Sequence, residues 1–358
     1  MSDVGSPIAE LDTPALWVDL EIMEANIAYL VAYFRQAGVQ WRPHVKSIRV
    51  PAIAHRALAA GAIGVTCATV AEAENMANGG IQDILIANQV VGPHKTARLV
   101  ALCHRSDVKV AVDNATNVAA LGAAAVSAGV VLGVVVEVDV GQKRAGVAPG
   151  QATVDLGQVV RATAGLRFRG LMGWEGHTRA IAEVDLRHQA ITQAMEQLTD
   201  TADLCRAAGL PVEIVSGGGS GTYDVTAFHP GMTEVEAGGA IFCDVMYQKL
   251  GVQTRPCLFV RSTVTSRPTP SRIIFDAGFK TMPMWRESPS PVGLSGVQSM
   301  RTNAEHTQVE LAAPNTQVEL GQAFDFIVGY SDSTVFLFDT IYGVRHGLVE
   351  TVWTILGR

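Results

Sequence analysis

A parallel (β/α)8 barrel of the TIM type with a separate, mainly β C-terminal domain is the fold class that three observations predict. Eight short strand-like runs fall between residues ~39 and 244, most of them separated by Ala-rich stretches of helical length. Those runs are continuously apolar instead of alternating, as strands covered on both faces must be. Past Gly251 the Ala-rich texture stops and strand-like runs with turns take over. A doubly wound open sheet is the competing architecture, because the same alternation of strand and helix builds both.

In chain order, "LDTPALWVDL" at residues 11–20 reads as a strand that joins the C-terminal domain, and "EIMEANIAYLVAYFRQAG" opens the barrel as a helix. The barrel strands are then "VQWRPHVK", "GAIGVTCAT", "DILIANQVV", "VKVAVDN", "VVLGVVVEVDVG", "LRFRGLMGWEGH", "PVEIVSGGG" and "MTEVEAGGAIFCD". Between them "RVPAIAHRALAA", "VAEAENMANGG", "NATNVAALGAAAVSAG" and "DLRHQAITQAMEQLTDTADLCRAAG" read as helices, several ending at a glycine where a helix should stop. The expected domains are a barrel over 21–250 and a β domain over 251–358, the latter joined by the strand at 11–20.

Composition narrows the function classes. Hydrophobic residues make up 48% of the 358 and charged residues 17%, enough for a sizeable core. A formal net charge of −7 has the wrong sign for nucleic acid or an anionic membrane as the main partner. The N-terminus lacks a basic region and an apolar core, so no signal peptide is expected, and no apolar run approaches a bilayer span. Cys67, Cys103, Cys205, Cys243 and Cys257 are widely spaced without a CxxC, which reads as buried thiols of a cytoplasmic protein.

Barrels of this kind collect their chemistry at the carboxyl ends of the strands. Residues at or just past those ends are His44 and Lys46, Thr69, Asn88 and Gln89, Asp113, Asp139 and Arg144, Trp174, Glu175 and His177, the segment "SGGGSGTY" at 216–223, and Glu236 with Gly238 and Gly239. The stretch "WRPHVKS" places Arg42, His44 and Lys46 at alternate positions, hence on one face if it is a strand. The Gly-rich segment lets backbone N–H groups approach an anion such as phosphate, with Ser220 and Thr222 nearby; a plain turn would look the same. A lysine desolvated among barrel neighbours loses its proton more easily and can then form an imine with an aldehyde. Alone, Lys46 would equally read as a solvated strand-end cation.

Taken together, "LDTPALWVDL", "RPHVKS", "GVTCATVAEAE", "DILIANQVVG", "EVDVGQKRAGV", "GLMGWEGH", "VSGGGSGTY", "EVEAGG", "DAGFK" and "AEH" resemble the fold-type III pyridoxal phosphate (PLP) enzymes of the alanine racemase superfamily. The resemblance is to the branch that holds D-threonine aldolase, D-serine dehydratase and enzymes that process D-hydroxyaspartate, and it covers nearly the whole chain. It implies that Lys46 carries the cofactor, with Arg42 and His44 on the same face beside the ring, Arg144 near the phenolic oxygen or the substrate carboxylate, and His177 against or near the ring. Ser220, Gly221 and Thr222 with Gly238 and Gly239 would hold the phosphate. Glu236 stands where alanine racemases carry an arginine over the pyridine nitrogen; a carboxylate there favours the protonated ring and a deeper electron sink. A shift of one residue would turn Glu236 outward.

The implied activity is that of a PLP-dependent carbon–carbon lyase on β-hydroxy-D-amino acids, by retro-aldol cleavage to a smaller amino acid and an aldehyde. A D-serine or D-hydroxyaspartate dehydratase, a racemase or aminotransferase, and a non-catalytic PLP carrier are the alternatives. A homodimer is implied by resemblance. This branch places a His, then a Cys or Asp two residues on, around a divalent ion near the C-terminus. In "VGYSDSTV" the corresponding residues are Tyr330 and Asp332. One carboxylate, Asp332, is a poor metal site, so no tightly held metal is expected; His306, kept from the family pattern, stays open as a base, a metal ligand or a substrate-binding group, and without a metal Tyr330 or His306 would handle the β-hydroxyl proton. His55, His94, His104 and His188 have no partner at ligand spacing and read as ordinary surface or core residues; His229 and His346 stay open, and Trp174 and Trp285 read as packing or pocket walls.

Overall fold

The computed structural model describes residues 3–356. The chain separates into two compact units: Leu30–Gly238, and the segment up to Tyr29 together with Gly239–Leu356.

A first strand, β1 (Ala15–Asp19), belongs to the second of these. The Leu30–Gly238 unit holds eight parallel strands: β2 (Gln40–Trp41), β3 (Val65–Cys67), β4 (Asp83–Gln89), β5 (Asp107–Val112), β6 (Leu132–Val138), β7 (Leu166–Gly173), β8 (Ile214–Gly217) and β9 (Glu234–Val235). Their order is β2-β9-β8-β7-β6-β5-β4-β3. The ring closes where the chain beyond β2 meets β3: Val45 N–H donates to the Thr66 carbonyl at 2.7 Å, and Thr66 N–H to the Pro43 carbonyl at 3.0 Å. Closure makes this a barrel and disposes of the open-sheet alternative.

Helices follow most strands, and their ends obey local chemistry. Thr69 accepts from the Glu72 N–H to start helix Val70–Asn78, and Asn114 accepts from the Thr116 N–H to start Ala115–Ala128, which stops at Gly129 in the left-handed region. Helices Pro51–Ala60, Pro93–Leu102, Gln151–Ala162 and Val184–Ala207 complete the alternation.

Inward side chains of the barrel stack in layers. Leu85, Ala111, Val135, Met172 and Ile214 form the middle apolar layer, one residue from each of β4 to β8. Below it, at the strand starts, lies a buried ion network. Arg42 is 2% exposed and grips Glu234 through Nε (2.9 Å) and Nη2 (3.1 Å), and also pairs with Asp83. Lys109, fully buried, reaches Asp83 at 2.6 Å and Asp107 at 2.7 Å.

This corrects the reading of Arg42, His44 and Lys46 as one basic strand face. Regular strand ends at Trp41, and residues 45–48 form a turn. Arg42 is drawn to the strand starts by two carboxylates, whereas Lys46 lies past the strand end.

In the other unit, β10 (Leu258–Thr269), β11 (Arg272–Phe275), β12 (Ser290–Pro291), β13 (Val297–Thr302), β14 (Thr307–Leu311), β15 (Ala323–Ile327), β16 (Thr340–Arg345) and β17 (Leu348–Thr354) build a mixed sheet. Strand β1 lies inside it, antiparallel to β10 and parallel to β16. The compact units divide at 29/30 and 238/239, where the sequence suggested 20/21 and 250/251. Residues 239–249 go with the β sheet because helix Val245–Lys249 hangs on it. Val245 and Met246 N–H groups donate to the Val328 and Gly329 carbonyls, both at 3.1 Å, and Asp244 accepts from the Ser331 N–H and hydroxyl, both at 2.7 Å. Asn26 likewise donates to the Ile241 and Arg255 carbonyls.

The five cysteines are free thiols. Among the described residues no helix is long and apolar enough to cross a membrane.

The barrel base is a test of buried charge. Arg42→Met strands Glu234 without its fork and should cost about 3–5 kcal/mol in urea unfolding. Pairing it with Glu234→Leu should recover most of that loss; equal losses in the single and double variants would show that the pair is not what closes the base.

Candidate active site

All eight barrel strands run the same way, so their carboxyl ends share one mouth. Lys46 enters it from the turn that follows β2. The turn is set by His44, whose Nδ1 accepts the Lys46 backbone N–H at 3.3 Å, which leaves the ring proton on Nε2. Burial, then the charges of Lys46 and Arg144, push the His44 imidazole toward its neutral form.

Glu236 follows β9. The neighbouring chains are zipped together: Arg42 N–H donates to Val235 O, and His44 N–H to Glu236 O, each at 3.0 Å. Trp41 Nε1 adds a bond to Ala237 O at 2.8 Å. Gly238 is required by this seam, since a Cβ there would sit 2.0 Å from the His44 carbonyl oxygen. The register turns Glu236 inward, where its carboxyl accepts the Ser216 hydroxyl at 2.9 Å. Burial pushes the carboxyl up to about 8, with the Glu234 charge adding and the Ser216 bond, Arg42 and Lys46 opposing. Lys46 and Glu236 therefore feel each other's charge across the same mouth.

The glycine-rich segment after β8 forms a tight loop with a carboxylate beneath it. Glu175, fully buried, accepts from the Thr222 hydroxyl at 2.6 Å, the Thr226 hydroxyl at 2.8 Å and the Gly218 N–H at 3.3 Å. Thr222 in turn accepts from the Gly219 N–H at 2.9 Å and sends its own N–H to the Gly219 carbonyl at 3.0 Å. Its hydroxyl proton is thus committed to Glu175, and Thr222 shapes the loop from below. Trp174 floors the loop: a Cβ on Gly219 would come within 2.4 Å of the indole. Ser220 and Gly221 sit at the bend, both buried. Gly239, on the other side of the unit boundary, lies against the Tyr247 ring.

The loop after β6 presents Arg144. Asp139 accepts from the Gly141 N–H at 3.1 Å and the Lys143 N–H at 2.9 Å, and Asp113 accepts from the Gly146 N–H at 3.1 Å. Both strand-end aspartates are therefore loop clamps. The Arg144 side chain is 57% exposed and faces Glu137 at 3.8 Å. Glu137 itself was absent from the strand-end survey, although a lone acid inside "LGVVVEV" is a legible signal. His177, on the 3-10 turn Gly176–Ala180, packs its ring over Gly141, where a Cβ would meet it at 2.9 Å. Its Nδ1 is buried with no hydrogen-bond partner. Such an atom calls for a polar group that none of the described residues provides.

The remaining sequence candidates lie in the β unit. Tyr330 is buried against Tyr247 and Trp285, and its hydroxyl donates to Asp332. His306 is exposed on the turn between β13 and β14. Among the described residues no group of three or more His, Cys, Asp or Glu is placed to hold a metal ion. His188, on helix Val184–Ala207, lies 3.2 Å from Asp224, and His229, half-buried on the bend after helix Tyr223–Thr226, bonds Thr199 at 3.2 Å.

The chain resembles known proteins over nearly its whole length. The alanine racemase N-terminal domain model matches residues 18–245, and a serine dehydratase domain model matches residues 257–344. A D-threonine aldolase of an Arthrobacter species is 36% identical over 99% of this chain and 94% of its own length. A 3-hydroxy-D-aspartate aldolase of Paracoccus denitrificans (strain Pd 1222) is 31% identical over the same shares. The crystal structure of D-threonine aldolase from Filomicrobium marinum superposes with a TM-score of 0.95 at 34% identity, covering 98% of this chain and 97% of that one.

The raised affinity of Glu236 for a proton has a sign that can be measured. A carboxyl lifted from 4.5 to about 8 holds its proton in the folded chain where the unfolded chain has released it. Stability then falls as pH rises between those values, by at most ~1.4 kcal/mol per unit. In cofactor-free protein, Glu236→Gln should therefore gain on the parent in urea unfolding from pH 5 to 8. Parallel curves would contradict the buried placement; Asp244, pushed up to about 7 by burial, contributes equally to both proteins and cancels.

Proposed function

From a chain that belongs to the alanine racemase N-terminal domain family, we propose a PLP-dependent lyase that cleaves β-hydroxy-D-amino acids to a smaller amino acid and an aldehyde. The observation that carries the proposal is the buried carboxyl of Glu236, held by the β2–β9 seam in the same mouth as the Lys46 amine.

The residues fit a phosphorylated pyridine aldehyde. Lys46 provides an amine in the mouth, the 217–221 loop is stripped of side chains where Trp174 and Glu175 fix it, and His177 Nδ1 lacks a partner. When bound, PLP supplies an aldehyde for the amine and an electron sink for the charge left as the Cα–Cβ bond breaks. Lys46 would hold it and afterwards carry a proton at its Nζ. Ser220, Gly221 and the backbone at Gly238 would take the phosphate, with Thr222 as the brace beneath; Gly239 is retained there on the resemblance alone. Glu236, protonated below pH ~8 by burial, would share its proton with the ring nitrogen. Arg144 would neutralise the substrate carboxylate or the phenolic oxygen, and His44, driven toward its neutral form by burial, and His177 would lie beside the ring.

A divalent metal, which the resemblance also implies, is not matched by the residues present. At the corresponding position Asp332 receives the Tyr330 hydroxyl. A carboxylate and a phenol offer no nitrogen and too few ligands for a borderline cation. His306 and Tyr330 are retained as candidate proton carriers on the resemblance alone. A cytoplasmic homodimer belongs to the same proposal, supported by the free thiols and by the family.

Incubation with D-threonine should yield glycine and acetaldehyde; a keto acid with ammonia would favour β-elimination, and a change of enantiomer would favour racemisation. Lys46→Ala should lower kcat at least ~10³-fold and abolish the borohydride-sensitive absorbance of the bound cofactor. Full turnover by that variant would end the proposal. Dialysis against EDTA should leave the rate within about twofold, since the donor set lacks nitrogen; loss restored by manganese or zinc would overturn the metal-free reading.

A further inference from the structure

Glu137 has no part in the reaction as set out above, yet it occupies the mouth with a carboxyl that folding alone does not require. It interrupts a strand of valines, is 3% exposed, and burial raises its affinity for a proton. An uncharged side chain of that size would be cheaper to bury. Its two oxygens are divided. Oε2 accepts from Gln89 Nε2 at 2.5 Å, which fixes the carboxyl plane, and Oε1 faces the Arg144 guanidinium at 3.8 Å. The other charges that act on it are Asp113 and Asp139, the two clamps of the Arg144 loop, so Arg144 is the cation set among three acids.

Arg144 needs such a partner. Its backbone is fixed by the clamps, but its side chain is more than half exposed, and a long exposed side chain samples many rotamers. An ion pair to one carboxylate oxygen orients the guanidinium and leaves its remaining donors for a second anion. The charge of Arg144 also acts on His44, which places the guanidinium toward the Lys46 side of the mouth.

We propose that Glu137, seated by Gln89, is the positioning residue for Arg144, and that the anion so positioned for is the carboxylate of the amino acid substrate. The inference rests on the proposed function and deepens it by committing Arg144 to the substrate instead of the cofactor. Glu137 touches neither; it acts through Arg144.

The test uses the cofactor-loaded enzyme, glycine as an unreactive probe read by the change in cofactor absorbance, and D-threonine for turnover. Glu137→Gln keeps the volume and the link to Gln89. The Kd for glycine and the KM for D-threonine should each rise ~10-fold while kcat changes less than ~3-fold. The thermal midpoint should hold or rise, since a buried acid has been removed. Glu137→Asp should fall between the two. In an Arg144→Ala background, Glu137→Gln should add less than about twofold, because the effect passes through the guanidinium. An unchanged Kd in Glu137→Gln beside a weakened Arg144→Ala sinks this inference alone, as does a full independent effect of Glu137→Gln in the Arg144→Ala background. An unchanged Kd in Arg144→Ala sinks the reading of Arg144 as well.

Discussion

The seam between the chain at 41–44 and the chain at 234–238 is the joint on which the site depends. Two backbone bonds, the Trp41 indole and the Arg42–Glu234 fork fix the register of two very short strands. Regular pairing covers only Gln40 with Glu234 and Trp41 with Val235, far too little to hold a register unaided. Because side chains alternate along a strand, a slip of one residue would turn Glu236 out of the barrel. The same seam delivers the chain to the turn that carries Lys46. The acid and the amine are thus placed by one structural element, and the glycine at 238 is the concession that lets the chains approach.

Charge inside this barrel is sorted by height. At the base, Arg42 and Lys109 are each matched by two carboxylates, and the network is complete within the chain. At the mouth the matching is loose. Glu236 has a serine, Glu137 an amide and an arginine at 3.8 Å, and His177 an empty nitrogen. A satisfied network stabilises and then has nothing left to offer a ligand. An incompletely satisfied one lowers stability but leaves bonds to be made, and it occupies the end of the barrel where the loops converge.

Much of this was legible in the sequence, and the parts that were not share a cause. The barrel and the late β domain follow from the alternation of apolar runs and Ala-rich stretches, and the placement of Lys46 and Glu236 past strand ends followed from counting strands. Arg42 was misread because alternation within "WRPHVKS" assumes a strand that in fact stops at Trp41, and because its partners Glu234 and Asp83 come from other strands. Glu137 was passed over because it lies within a strand instead of beyond it. Thr222 reads as a phosphate ligand in the segment "GGGSGTY"; only the structure shows that Glu175 claims its hydroxyl. Each miss concerns a contact between elements distant in sequence, which local pattern does not encode.

The proton affinities of the mouth bear on what it can bind. Burial drives His44 toward neutrality and drives Glu137 and Glu236 toward their protonated forms. In each case the dominant cause is lost hydration; the charges of Lys46 and Arg144 reinforce it at His44, whereas Gln89 and Arg144 oppose it at Glu137, and Ser216, Arg42 and Lys46 at Glu236. A ligand carrying a phosphate, a ring nitrogen and a carboxylate brings partners of both signs. On the proposed function the nitrogen would meet Glu236, and the carboxylate the guanidinium beside Glu137. Such binding would repair a local deficit that folding leaves open, and the affinity for a zwitterion would arise from the same burial that lowers stability at the mouth. Replacing either acid by its amide should strengthen the fold and weaken the grip, a pairing that a purely structural role for these residues does not produce.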